Sequence, residues 1–159
     1  EKGEASTEDF DSFLDLNVDA YIPESYVTNE NAKLDLYKRI AVVQTSDEAA
    51  DLMDEMTDRY GNVPANVRTL LDISLLKEKA RKVYVKDVSD KDKYIQLDFY
   101  EHALINPGNL PELISSYNGR LTLKTLGNPC LLYNKEAEDE ENILKTIDKI
   151  LTDMQILVD

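Results

Sequence analysis

The spacing of apolar residues predicts an α+β fold, a mixed, mostly antiparallel sheet packed with helices in the order β-ααα-ββ-α-ββ-α. Three observations lead there. Apolar residues recur at three- and four-residue intervals through the first half of the chain, and from Val83 to Tyr100 the period drops to two. The helical stretches carry their own start and stop residues. The later apolar runs are short and come in pairs around polar, Gly- or Pro-containing turns.

Residues 1–14, EKGEASTEDFDSFL, are acidic and poor in branched apolar side chains. They read as a linker, because so little apolar surface cannot offset the entropy of ordering. A short docking segment through Phe10, Phe13 and Leu14 is the alternative. Residues 15–159 read as one domain. At its start Leu14, Leu16, Val18 and Ala20 alternate with Asp15, Asn17, Asp19 and Tyr21, as in a half-buried strand ended by Pro23.

Thr28-Asn29 offers a cap for the first helix, whose core side carries Leu36, Ile40 and Val43. Lys33, Lys38 and Arg39 read as solvated cations on that helix, with a binding face as the alternative. The second helix, within Ser46–Pro64, is the most sharply bounded. Thr45 and Glu48 are spaced as a capping box, with Ser46 as a competing cap. Asp47 and Glu48 suit the positive helix end, and Gly61 is placed to stop it. Ala49, Leu52, Met53, Met56 and Tyr60 share an apolar sector. Asp47, Glu48, Asp51, Asp54, Glu55 and Asp58 share an acidic one, with Arg59 one turn on from Glu55. Pro64 suits the first position of a third helix. That helix has a stripe of Val67, Leu70, Leu71, Ser74, Leu75 and Leu76, and a basic end at Lys77, Lys79, Arg81 and Lys82.

Beyond it, Val83–Val88 and Tyr94–Tyr100 read as a hairpin, with Ile95, Leu97 and Phe99 on one face. Asn106-Pro107 opens a short helical segment, and Asn118-Gly119 marks a turn. Leu121–Leu126 and Cys130–Tyr133 form a second pair of strands. A helix from about Asp139 to Val158 closes the chain, lined by Ile143, Ile147, Ile150, Met154 and Leu157.

Acids outnumber bases 32 to 18, a net charge of −14. That argues against direct nucleic-acid binding, which needs clustered cations to replace counterions, and suits a basic protein surface better. The Lys77–Lys82 cluster is the one place a phosphate could bind; complementing the negative helix end is the competing reading. There is no run of apolar residues long enough to span a membrane and no signal-like start. The single Cys130 cannot form an internal disulfide, so a reducing cytoplasm is expected. No phosphate-binding glycine loop, zinc pattern or calcium loop is present. His102 beside Glu101 has only Cys130 as a candidate thiol. A carboxylate-dependent hydrolase would need an acid pair such as Glu101 with Asp98.

Two segments carry a family resemblance. L-N-V-D-A-Y-I-P-E-S-Y-V through K-L-D-L-Y-K-R-I, and D-E-M-T-D-R-Y-G-N-V-P followed by V-x-x-L-L and L-K-x-x-A, resemble the C-terminal domain of bacterial transcription-repair coupling factor, Mfd. The readable motifs cover roughly Leu16–Ala80. Proteins of this family are large DNA translocases that use ATP to displace stalled RNA polymerase and recruit UvrA for nucleotide excision repair. The resemblance implies that residues 1–14 are linker from an absent upstream motor, and that 15–159 is the C-terminal regulatory domain. It implies no cofactor here, with ATP and Mg belonging to the motor, and contact with polymerase and DNA only through the full-length protein. It further implies a non-catalytic, autoinhibitory role. The domain would pack on the UvrB-like N-terminal module of the same protein and mask its UvrA-binding surface. The family's contact motif falls on Glu55, Asp58 and Arg59.

Overall fold

The fold is a computed structural model describing residues 10–159. The chain falls into two compact units. One is Val18–Leu76; the other is residues 10–17 with Lys77–Asp159.

The first unit is built on α1 (Glu30–Ala41), α2 (Ser46–Tyr60) and the first part of α3 (Ala65–Lys82). Asn29 caps α1, its side chain accepting from the Ala32 amide at 2.9 Å. Thr45, not Ser46, caps α2. Its hydroxyl accepts from the Glu48 amide at 3.1 Å, and the Glu48 carboxylate accepts from the Thr45 amide at 3.3 Å. This satisfies donors that the first helical turn leaves without partners. Gly61 closes α2 at φ 91° and ψ −166°, a backbone state open to glycine and strained for other residues. Pro64 stands one place earlier than expected, just outside α3, where its carbonyl accepts from the Arg68 amide at 3.1 Å. Leu36, Ile40 and Val43 pack with Ala49, Leu52, Met56, Val67 and Leu71 in one core, to which Ile22 and Val27 contribute. The one hydroxyl buried among them, on Ser74, donates to the Ile40 carbonyl at 2.8 Å, so the burial leaves no polar group unpaired.

The second unit is a five-stranded sheet in the order β1-β2-β3-β5-β4. Its strands are Phe13–Asp15, Val85–Asp90, Tyr94–Phe99, Leu121–Lys124 and Cys130–Asn134, numbered β1 to β5 along the chain. β1 pairs parallel with β2, and every other pairing is antiparallel. Both expected hairpins are present, and β3–β5 pairing joins them. β1 is much shorter than the expected Leu14–Pro23 strand. Burial still alternates from Leu14 to Ile22, but the ladder ends at Asp15. The chain is also docked earlier than a linker ending at residue 14 implies. Phe10 stacks on Tyr100 with centroids 4.3 Å apart, and the buried Ser12 hydroxyl donates to the Val85 carbonyl at 2.6 Å. Residues 1–9 of the expected linker lie outside the described residues.

The helices of this unit are α4 (Leu110–Ser115), preceded by a 3₁₀ turn at Pro107–Asn109, then α5 (Ala137–Glu141) and α6 (Ile143–Asp153), with a 3₁₀ turn at Met154–Leu157. The single closing helix expected from Asp139 is therefore broken at Asn142, whose φ and ψ are −125° and 41°. Asp139 explains the break. Its carboxylate accepts from the Glu136 amide at 2.7 Å, the Tyr133 hydroxyl at 2.8 Å and the Thr146 hydroxyl at 3.1 Å. Those bonds anchor α5 as a separate turn. Ile143, Ile147, Ile150, Met154 and Leu157 are all buried, as the apolar spacing requires.

Candidate functional site

The last turn of α2 and the facing part of α1 bring Arg39, Glu55, Asp58 and Arg59 close together. Leu52 and Met56 turn α2's apolar face inward, which leaves Glu55, Asp58 and Arg59 on the outer side. The same period places Leu36 and Ile40 of α1 in the core with Arg39 half-buried at their edge. Arg39 reaches across to α2. Its Nη1 and Nη2 donate to Glu55 Oε2 and Oε1 at 2.5 and 2.6 Å. This is the fork-on-fork geometry in which a guanidinium matches both oxygens of a carboxylate. Arg59 Nη1 lies 3.6 Å from Glu55 Oε2, one helical turn away. The Arg39 hydrogen bonds hold the Glu55 carboxyl below the usual carboxylate range. Desolvation pulls the other way, and the positive charges of Arg39 and Arg59 reinforce the lowering.

The turn itself is pinned from beneath. The Tyr26 hydroxyl lies 2.9 Å from the carbonyl of Gly61, just past the helix end, and 3.2 Å from the Met56 carbonyl. The Tyr26 and Tyr60 rings meet at 5.6 Å, and Arg59 lies over the Tyr60 ring at 5.4 Å. A small groove of about 70 Å³ separates α1 from α2, lined by Asp35 and Arg39 on one side and Glu55, Met56, Arg59 and Tyr60 on the other.

The three residues singled out in the sequence are thus adjacent but unequal. Glu55 is paired within the unit. Arg59 is exposed, with Glu55 as its ion partner. Asp58 is exposed and makes no ion pair among the described residues. Arg39 was read as a solvated cation, and its pairing was not foreseen. The available signal was its position, a charge directly before the core residue Ile40.

Other candidate positions have quieter surroundings. In the basic cluster Arg81 pairs with Glu78 and Lys79 with Asp148, each at 2.6 Å, which spends much of its charge internally. Asp98 accepts from Gln96 at 2.8 Å, and Glu101 is exposed in the turn after β3. Neither lines the α1–α2 groove or a larger one of about 300 Å³ beside Glu112, Lys149 and Asp153. His102 is exposed and meets the Tyr100 ring edge-on, while Cys130 is buried, and burial pushes its thiol up. Among the described residues no group of three or more His, Cys, Asp or Glu is placed to hold a metal ion.

A five-stranded, mostly antiparallel sheet with this helix order defines a mixed α+β protein. The chain belongs to the TRCF domain family, whose pattern matches residues 16–110. It is 37% identical over 121 residues to the transcription-repair-coupling factor of Bacillus subtilis (strain 168), covering 75% of this chain and 10% of that protein. It is 39% identical over 93 residues to the transcription-repair-coupling factor of Staphylococcus aureus (strain USA300), covering 58% of this chain and 8% of that protein. The chain therefore spans about a tenth of the length of the curated relatives it matches. Its fold superimposes on a crystal structure of the C-terminal domain of transcription-repair coupling factor with a TM-score of 0.76 and 26% identity, over 92% of each chain.

Proposed function

We propose that this chain is the non-catalytic, autoinhibitory interaction domain of a transcription-repair coupling factor, working in the cytoplasm in nucleotide excision repair. It docks on the UvrB-like N-terminal module of the same protein and masks the surface that UvrA binds. Glu55, Asp58 and Arg59 supply the contact. The observation that carries this reading is the exposed Asp58–Arg59 pair on a helix end fixed by Tyr26, Tyr60 and Gly61. Charges held on a rigid turn lose less freedom on docking than charges on a loop. Family membership supports the setting, and the net charge of −14 suits a basic partner surface.

A clasp of this kind is weak by design. Exposed ion pairs each contribute little, yet tethering within one protein raises the effective concentration of the patch. Polymerase engagement or DNA damage then opens it by favouring the undocked state. In the full-length factor, charge reversal at Asp58 and Arg59 is expected to raise both UvrA binding and basal ATPase activity. Unchanged values in both assays, with the fold intact, rule the proposal out.

A further inference from the structure

We infer that Glu55 acts on the docking partner only through the arginines beside it, and that Arg39 is a positioning residue of the same interface. This rests on the docking patch proposed above and refines the roles within it. Both Glu55 oxygens are held by the Arg39 fork at 2.5 and 2.6 Å, and Oε2 also faces Arg59 at 3.6 Å. The carboxylate is charge-matched before a partner arrives. An arginine from outside would have to compete with a planar, bidentate pair whose geometry is already set.

Arg59 is the reverse case. Its side chain is 59% exposed, and the contact to Glu55 is too long for a hydrogen bond. Asp58 is exposed beside it. Of the three residues, the two whose charge stays open to a partner are consecutive: Asp58, which makes no ion pair among the described residues, and Arg59, whose ion contact to Glu55 is long. The surface they fit carries a carboxylate or carbonyl for Arg59 next to a basic group for Asp58. Arg39 matters because it ties Glu55 of α2 to α1, 16 residues back in the chain. Glu55 in turn steadies Arg59 on the face of Tyr60.

The test is the affinity of this chain for the purified UvrB-like module of a coupling factor, followed by titration with melting curves for every variant. R39M and E55Q are each expected to raise Kd about two- to fivefold. The R39M E55Q double variant should go no further than the larger single effect, because both changes remove one pair. R39K keeps the charge without the fork and should fall between R39M and the unaltered chain. D58K and R59E should each raise Kd about tenfold, as like charges then face each other. If R39M tightens binding while E55Q weakens it, Glu55 meets the partner directly and Arg39 only competes. That outcome, additive single effects, or lowered melting with unchanged Kd for R39M, overturns the inference and leaves the docking patch standing. A chain whose D58K and R59E variants bind as before, or an unaltered chain that does not bind, overturns the patch itself.

Discussion

The two units of the chain each contain a cross-element ion pair, and the two pairs are built to opposite specifications. In the helical unit Arg39 and Glu55 meet with side chains 40% and 39% exposed. In the sheet unit Lys135, just past β5, meets Asp90 at the end of β2 at 2.6 Å with both side chains only 4% exposed. Lys135 uses its remaining donors on the Lys91 carbonyl at 2.8 Å and on Glu140 of α5. Its ammonium is held above the usual lysine range. Burial opposes this, and the hydrogen bonds it donates to Asp90 and Glu140 prevail. A buried pair with every donor used locks one arrangement of hairpin, strand and α5. A half-exposed pair is screened by water, so it adds little to stability and orients a surface instead. The contrast teaches that ion pairing as such says little about role, and that burial decides whether a pair holds the fold together or only orients surface groups.

The sharpest way to break this comparison is K135M. It leaves Asp90 buried without its cation, which costs about 3–5 kcal/mol. Hydrogen exchange should show lost protection across β2, β3 and β5, while amides of α1 and α2 are expected to keep theirs. Loss spread equally over both units would contradict the assignment.

A smaller effect is expected in alkaline solution. Burial, and then the hydrogen bond to Asp139, push the Tyr133 hydroxyl up to about 12 from an ordinary 10.0. The folded chain therefore holds that proton more tightly than the unfolded chain does. The stabilisation is fully present below pH 10 and is lost as pH rises toward 12. Y133F should flatten this part of the stability curve for the sheet unit; a curve of unchanged steepness would assign the alkaline loss to other groups.

The smallest effect belongs to the exposed pair. R39M should lower the melting temperature by less than about 4 °C. A larger drop would mean that the Arg39–Glu55 pair supports the helical unit as Lys135 supports the sheet.

Much of this fold is readable from the sequence, and the legible parts share a property. The Asn29 cap, the Thr45–Glu48 box and the Gly61 stop each involve residues within about four positions of one another. The buried faces of α1 and α2 and the Ile95–Leu97–Phe99 face of β3 follow from period alone. The candidate site was legible only in part. Periodicity placed Glu55, Asp58 and Arg59 on an outer face, and the family motif picked them out of a row of six acids and one arginine. Neither could say that Glu55 was already engaged, since its partner sits on another helix.

What the sequence by itself determined is where elements start, stop and turn their apolar sides, because those choices are settled by hydrogen bonds and side-chain spacing within a turn or two. Tertiary structure alone decided the rest. It brought Phe13–Asp15 beside Asp87–Ser89 as a parallel edge, broke the last helix at Asn142 through Asp139, and matched Arg39 to Glu55 and Lys135 to Asp90. A charged side chain of this length can reach several partners of opposite sign. Which one it takes, and whether water stays between them, is fixed only when the packing of distant elements sets the distance and the burial.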